Sequence, residues 1–251
     1  MKTQVLIAQP YYGAINPRCY DACDIASHRG DRVELGVVRR PSSLLANNFN
    51  TLFATWEQNA HFERMVILHA DLFPTKPAWL DVLMDEADEH NLDALHAVVA
   101  LKDHHGRTST AVAYSETDRW RTKRRISTTE LQALPETFTI ETLRAQYDSA
   151  ARVLMPNTGC LLLRRGPWVR DFPGFTIDDR FSPPDRDGKR LPQVVPEDWN
   201  FGFWAHARGL RVGGTRKVQT RHIGDAPFTT EHGWGDPVDT EWLDACREEQ
   251  T

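Results

Sequence analysis

Four nearly unbroken apolar runs constrain this chain more than any other feature: Val5-Leu6-Ile7-Ala8, Met65-Val66-Ile67-Leu68, Ala94–Ala100 and Cys160–Leu163. A strand that alternates apolar with polar residues can leave one face in water, but a strand without alternation must be covered on both. The first run predicts a strand over Gln4–Ala8, and Val33–Val38 predicts a second. Helices supply the cover. Leu45, Phe49, Leu52, Phe53 and Trp56 recur at helical spacing, as do Trp79, Leu80, Leu83 and Ala87, which open just after Pro77. Strands that alternate with helices predict an α/β chain, with a mostly parallel central sheet flanked by helices and a ligand site beyond the carboxyl ends of the strands.

Beyond residue 103 the pattern loosens. Residues 103–150 read as a surface excursion, in which Arg119–Arg125 carries five basic residues in seven. Gly166 to Pro196, dense in Pro, Gly, Asp and Arg, reads as a loop or lid. A helix over Glu197–Arg208 opens after Pro196 and is closed by Gly209, and a strand follows through Arg211–Val218. Pro227 to Gly235 has little periodic apolar pattern and reads as a mobile tail or lid, which gives one domain over residues 1–226 and a tail over 227–251.

The 251 residues carry 30 basic and 35 acidic side chains, a net charge of −5, which argues against a surface that attracts nucleic acid as a whole. No apolar run approaches the roughly 20 residues of a membrane span. The opening segment is too short in apolar residues for a signal peptide and reads as a strand. Cys19, Cys23, Cys160 and Cys246 fit neither a disulfide scaffold nor a zinc site, so reduced thiols in a cytoplasmic compartment are expected.

Three groups of residues carry chemistry. His69 and Asp71 end a buried strand, and their alternation sets two metal-capable groups on one side of it. Either is also a common turn-former. Glu197 and Asp198 open a helix, where acids also favour the helix dipole. His222 follows a late strand. Arg119, Trp120 and Arg121 belong to the basic stretch, which is either a solvated loop or a patch that binds a polyanionic acceptor such as DNA.

The order of these groups resembles the GT-A glycosyltransferases over residues 4–226. Gln9-Pro10-Tyr11-Tyr12 follows the first strand; Asn48 lies in the helix that leads to Leu68-His69-Ala70-Asp71, at the place of that family's D-x-D motif, with His69 where Asp is usual. Asn157-Thr158-Gly159 then Cys160–Arg165 resembles the turn and strand beneath the acceptor site. Glu197-Asp198, Ala207-Arg208-Gly209-Leu210-Arg211-Val212 and His222-Ile223-Gly224 complete the series.

The resemblance implies a GT-A type sheet, with a small antiparallel part near the acceptor, and transfer of a hexose from a nucleoside diphosphate sugar, UDP-sugars first, to a hydroxyl. Pro10, Tyr11, Tyr12, Arg18, Asn48, His69, Ala70, Asp71 and Asp103 would meet the donor. Asp71 and His222, with His69, would hold a divalent metal; oxygen and nitrogen donors together suit Mn²⁺ better than Mg²⁺. Gly159, Trp199, Arg119, Trp120 and Arg121 would face the acceptor, a hydroxyl compound that extends to hydroxymethylated DNA bases. Asp198, or Glu197, would act as general base in an inverting enzyme or orient the sugar in a retaining one. Alternatives are a nucleotidyltransferase, for which no Gly-rich, Lys-containing phosphate loop stands near Gln9–Arg18, a nucleic-acid or carbohydrate binding module, and a zinc hydrolase, for which no close helical histidine pair exists.

Overall fold

The structure, a computed structural model, describes residues 2–28, 32–120, 123–224 and 227–235. Its first half runs β1 (Thr3–Tyr11), α1 (Pro17–His28), β2 (Val33–Pro41), α2 (Leu45–Gln58), β3 (Arg64–Leu68), β4 (Leu72–Pro74), α3 (Trp79–Glu89) and β5 (Ala94–Ala97). Then come β6 (Arg107–Ala113), β7 (Lys123–Ser127), α4 (Thr128–Ala133), β8 (Thr137–Thr139), α5 (Ile140–Gln146), β9 (Val153–Met155) and β10 (Cys160–Arg164). The last part holds β11 (Asp178–Phe181), β12 (Pro192–Val195), α6 (Glu197–Ala207), β13 (Val212–Thr215), β14 (Thr220–Ile223) and β15 (Pro227–Thr229).

Seven strands form the central sheet in the order β2-β1-β3-β10-β5-β13-β8. β2, β1 and β3 pair in parallel, as do β5 and β13, while β10 runs antiparallel between β3 and β5 and β8 runs antiparallel at the edge. The apolar runs are buried on both faces, as their lack of alternation requires. Val5, Ile7, Val66 and Leu162 face α1 and α3, whereas Leu6, Ala8, Met65 and Leu161 face the aromatic layer of Phe49, Trp56, Trp168 and Phe201. No helix among the described residues is long and apolar enough to cross a membrane.

Three expectations change. Residues 103–150 are not a surface excursion: β6, β7 and β9 form an antiparallel sheet, and Val112, Ile126, Leu131, Phe138 and Leu143 share a buried cluster with Val98. Threonines disguise this part, because Thr108 and Thr110 are fully buried in β6 and the Thr108 hydroxyl donates to the Ile126 carbonyl at 2.6 Å. Residues 166–196 are only partly a loop, since Trp168, Val169 and Phe175 belong to the aromatic layer and only the β11–β12 hairpin projects. The start of the expected tail is docked: β15 pairs with β14, Phe228 is buried, and the Trp234 backbone N–H donates to the Thr128 hydroxyl at 3.0 Å. Cys246 and the rest of 236–251 lie outside the described residues.

α6 leads through Gly209 into β13, which runs parallel to β5, so its first residues stand at the carboxyl edge of the sheet. Gly202 lets it lie close on β9, for a Cβ there would stand 2.8 Å from Pro156 Cδ and 3.2 Å from the Leu154 carbonyl oxygen. Gly202→Ala should therefore displace α6 and destabilise the fold by about 1–3 kcal/mol, seen as a lower urea midpoint.

His96 is buried within β5, with Nε2 on the Thr110 hydroxyl at 2.9 Å. Burial lowers its pKa from 6.5 to about 3, so below 6.5 the unfolded chain takes up a proton that the folded one refuses. Stability should fall as the pH drops from 6.5 towards 3, and His96→Gln should flatten that decline in urea titrations between pH 7 and pH 4.

Candidate functional site at the carboxyl edge of the sheet

Where β1 and β3 end, the chain leaves the sheet and the two loops diverge. Between them and the start of α2 lies a cleft of about 350 Å³. Pro10, Tyr11 and Tyr12 form one side, Leu45 and Asn48 the other, and His69, Ala70 and Asp71 the floor. Seven of the nine residues expected to meet a donor thus line one cavity, although 61 positions separate Pro10 from Asp71.

The floor is fixed by β10. The His69 backbone N–H donates to the Gly159 carbonyl at 2.8 Å, which sets Gly159 against the end of β3. The His69 ring is part-buried, with its Nε2 shut off from solvent, and stacks on Phe49, centroids 5.5 Å apart. Burial lowers its pKa to about 4, so the imidazole is neutral near pH 7. Two buried polar atoms of the cleft have no partner, His69 Nε2 and Asn48 Oδ1, while the Asn48 amide N–H is spent on the Arg40 carbonyl at 3.0 Å. Unsatisfied polar atoms inside a cleft are sites where a ligand restores hydrogen bonds.

At the mouth, the small sheet β15-β14-β4 carries His222 beside Asp71. His222 Nδ1–H donates to the Ala100 carbonyl at 2.9 Å, which turns Nε2 towards Asp71 Oδ2 at 3.3 Å. A lone pair facing a carboxylate is stabilised by a positive centre beside them, whether a proton, a metal ion or the Lys102 ammonium that lies 2.5 Å from the same oxygen. Burial pushes the Asp71 carboxyl up, yet hydrogen bonds from His222 and Lys102 outweigh it and hold the group well below the usual carboxylate range. The Asp71–His222 pair therefore fits two donors of a metal shell with positions left open. His69 does not join them in a three-ligand cluster; among the described residues the one such cluster is Glu86, Glu89 and His90 at the end of α3, where Lys217 and Thr137 already bond Glu86.

Two expected donor residues lie elsewhere. Arg18 is exposed on the first turn of α1, away from the cleft lining. Asp103 caps a turn, accepting from the His105 N–H and from Arg107 Nε, both at 2.9 Å. Its neighbour Lys102, which the sequence did not single out, is the residue that reaches the site, with Nζ 2.5 Å from Asp71 Oδ2.

Of the expected acceptor residues, Arg119, Trp120 and Trp199 gather with the acid pair around the start of α6, while Gly159 lies at the end of β3. Glu197 is buried and Asp198 half-buried. Burial and the adjacent Glu197 push the Asp198 carboxyl up, against the pull of the Arg125 guanidinium. Arg125 lies over the buried Trp199 ring at 4.7 Å, so Trp199 is a core anchor with a cation on its face. The described residues of the basic stretch have partners within the fold: Arg119, although exposed, pairs with Asp178 at 2.8 Å and Asn200 at 2.9 Å, Trp120 stacks under Arg180, and Arg124 pairs with Glu130. Arg121 lies outside the described residues.

No protein-family model and no curated protein matches the chain. Among solved structures, A197 from STIV overlays with a TM-score of 0.53 at 13% identity, covering 96% of both chains. The chain shares that fold. CMP:2-keto-3-deoxy-manno-octonic acid synthetase complexed with CTP matches more loosely, with a TM-score of 0.43 at 11% identity over the whole of both chains. TarS from S. aureus matches at 0.28 and 16% identity over 44% of this chain and 25% of its own.

Removing the cation beside Asp198 isolates its effect. In Arg125→Met the Asp198 carboxyl should keep its proton to higher pH than in the wild type, read from the protonated-carboxyl band in pH-dependent infrared spectra.

Proposed function

We propose that the chain is a GT-A type glycosyltransferase that moves a hexose from a nucleoside diphosphate sugar, UDP-sugars first, to an acceptor hydroxyl. The carrying observation is the union, at one edge of the sheet, of a cleft with two unpartnered buried polar atoms and an acid–imidazole pair whose oxygen and nitrogen donors suit a divalent cation. The exposed Tyr12 ring, 81% accessible, offers a face for a nucleobase, and Asn48 Oδ1 offers an acceptor to an N–H or O–H of the nucleoside. Neutral His69 contributes a second such contact from the floor.

Asp71 and His222 would hold Mn²⁺, which when bound offsets the charge of the leaving diphosphate. Asp198, with Glu197 behind it, is the carboxylate assigned to the acceptor hydroxyl, whose oxygen bonds the anomeric carbon as the bond to phosphate breaks. A carboxyl with raised proton affinity suits a group that must take that hydroxyl's proton. The acceptor is assigned no further than a hydroxyl compound, since Arg119, Trp120 and Arg124 each hold a partner within the fold.

Thermal unfolding against nucleotides and nucleotide sugars, with and without Mn²⁺, tests the reading. A UDP-sugar at 100 times its Kd should stabilise the fold by about 2.7 kcal/mol, in a metal-dependent way. Asp71→Ala and His222→Ala should each lower metal-dependent donor turnover by about a hundredfold or more. Retained turnover in either removes that residue from the shell, and the absence of any nucleotide shift overturns the proposal.

A further inference from the structure

Lys102 is the residue at this site that its expected chemistry leaves unexplained. Its ammonium and the His222 Nε2 face the same atom, Asp71 Oδ2, at 2.5 Å and 3.3 Å. A metal ion held between Asp71 and His222 therefore meets a cation already seated on the oxygen it needs.

The backbone around Lys102 is fastened, and its half-exposed side chain ends on Asp71. The Leu101 N–H donates to the Arg107 carbonyl at 2.9 Å, and Asp103 ties the same turn to His105 and Arg107. The aliphatic stem runs past Gly224, where a Cβ would stand 3.2 Å from Lys102 Cδ and 3.5 Å from Cγ. The glycine two positions after His222 thus leaves the lane through which the stem reaches Asp71. A lysine ammonium is a compact charge with three donors on a flexible stem, suited to exchanging a carboxylate for a phosphate oxygen.

We propose that Lys102 is the built-in counter-ion of this site: it neutralises Asp71 when no metal is bound, competes with the divalent ion for Asp71 Oδ2, and passes to the donor diphosphate once displaced. The proposal rests on the donor and metal reading above. It makes metal and donor binding mutually supportive, because the ammonium that the metal displaces, repelled by the metal, has the diphosphate as its next anionic partner.

Binding measurements on the full chain separate this role from the reading beneath it. Mn²⁺ titrated alone and followed by electron paramagnetic resonance should bind about fivefold more tightly to Lys102→Met, as expected when a half-exposed ion pair no longer competes. UDP titrated calorimetrically at saturating Mn²⁺ should bind the same variant about tenfold more weakly, and Lys102→Arg should recover most of that loss. Lys102 is half-exposed, and an unchanged melting temperature of the metal-free variant verifies its fold. Equal Mn²⁺ affinity, or equal UDP affinity, in Lys102→Met and wild type overturns the role of Lys102 while the metal reading stands. Absence of Mn²⁺ binding in both proteins overturns the metal reading and the competition together.

Discussion

Burial of the central strands on both faces is the constraint from which the rest of the molecule follows. β1, β3, β5 and β10 bury both faces, one under α1 and α3 and the other under the aromatic layer with α2 and α6. A sheet closed in this way has no solvated face on which polar chemistry can be built. Its working surface is the edge where strands end. The turn from β3 to β4, the loop after β5 and the start of α6 all stand there, so residues more than a hundred positions apart meet without any departure from regular structure.

β10 gives this edge its particular shape. Running antiparallel between β3 and β5, it enters the sheet at the edge where its two neighbours leave, and Gly159 accepts the His69 N–H as it does so. The Asn157 side chain likewise donates to the Ala97 carbonyl at 2.9 Å, at the end of β5. Both strand ends are thereby satisfied from the same short turn, which leaves their side chains for other work. The turn after β5 then serves two neighbours: Lys102 reaches Asp71, while Asp103 and Arg107 add their charges to the environment of Arg125 beside Asp198.

The signals that survived from sequence to structure were those that local physics enforces. Unbroken apolar runs became buried strands, and the helical spacing of Phe49, Leu52, Phe53 and Trp56 became the buried face of α2. The gathering of Pro10, Tyr12, Asn48 and Asp71 around one cleft follows from the rule that parallel strands open their ligand site at their carboxyl ends. What failed was reading polarity as exposure. Thr108 and Thr110 are buried because their hydroxyls find partners, and Lys123 and Arg125 enter the fold because Trp199 offers them an aromatic face.

The sequence by itself determined the class of architecture, the positions of its main strands and helices, and the edge at which the cleft opens, because burial periodicity is a property of neighbours along the chain. It also marked Asp71 and His222 as a pair. Only the tertiary structure decided which charges face that pair. In Leu101-Lys102-Asp103 a lysine and an aspartate stand side by side, and nothing local tells which turns to Asp71 and which closes the loop on Arg107. The choice depends on β14 lying against β4, from about 150 residues away, and on Gly224 leaving room for the stem of Lys102, about 120 residues before it. Electrostatic partnership is a matter of distance in space, and distance between remote segments exists only once the chain has folded.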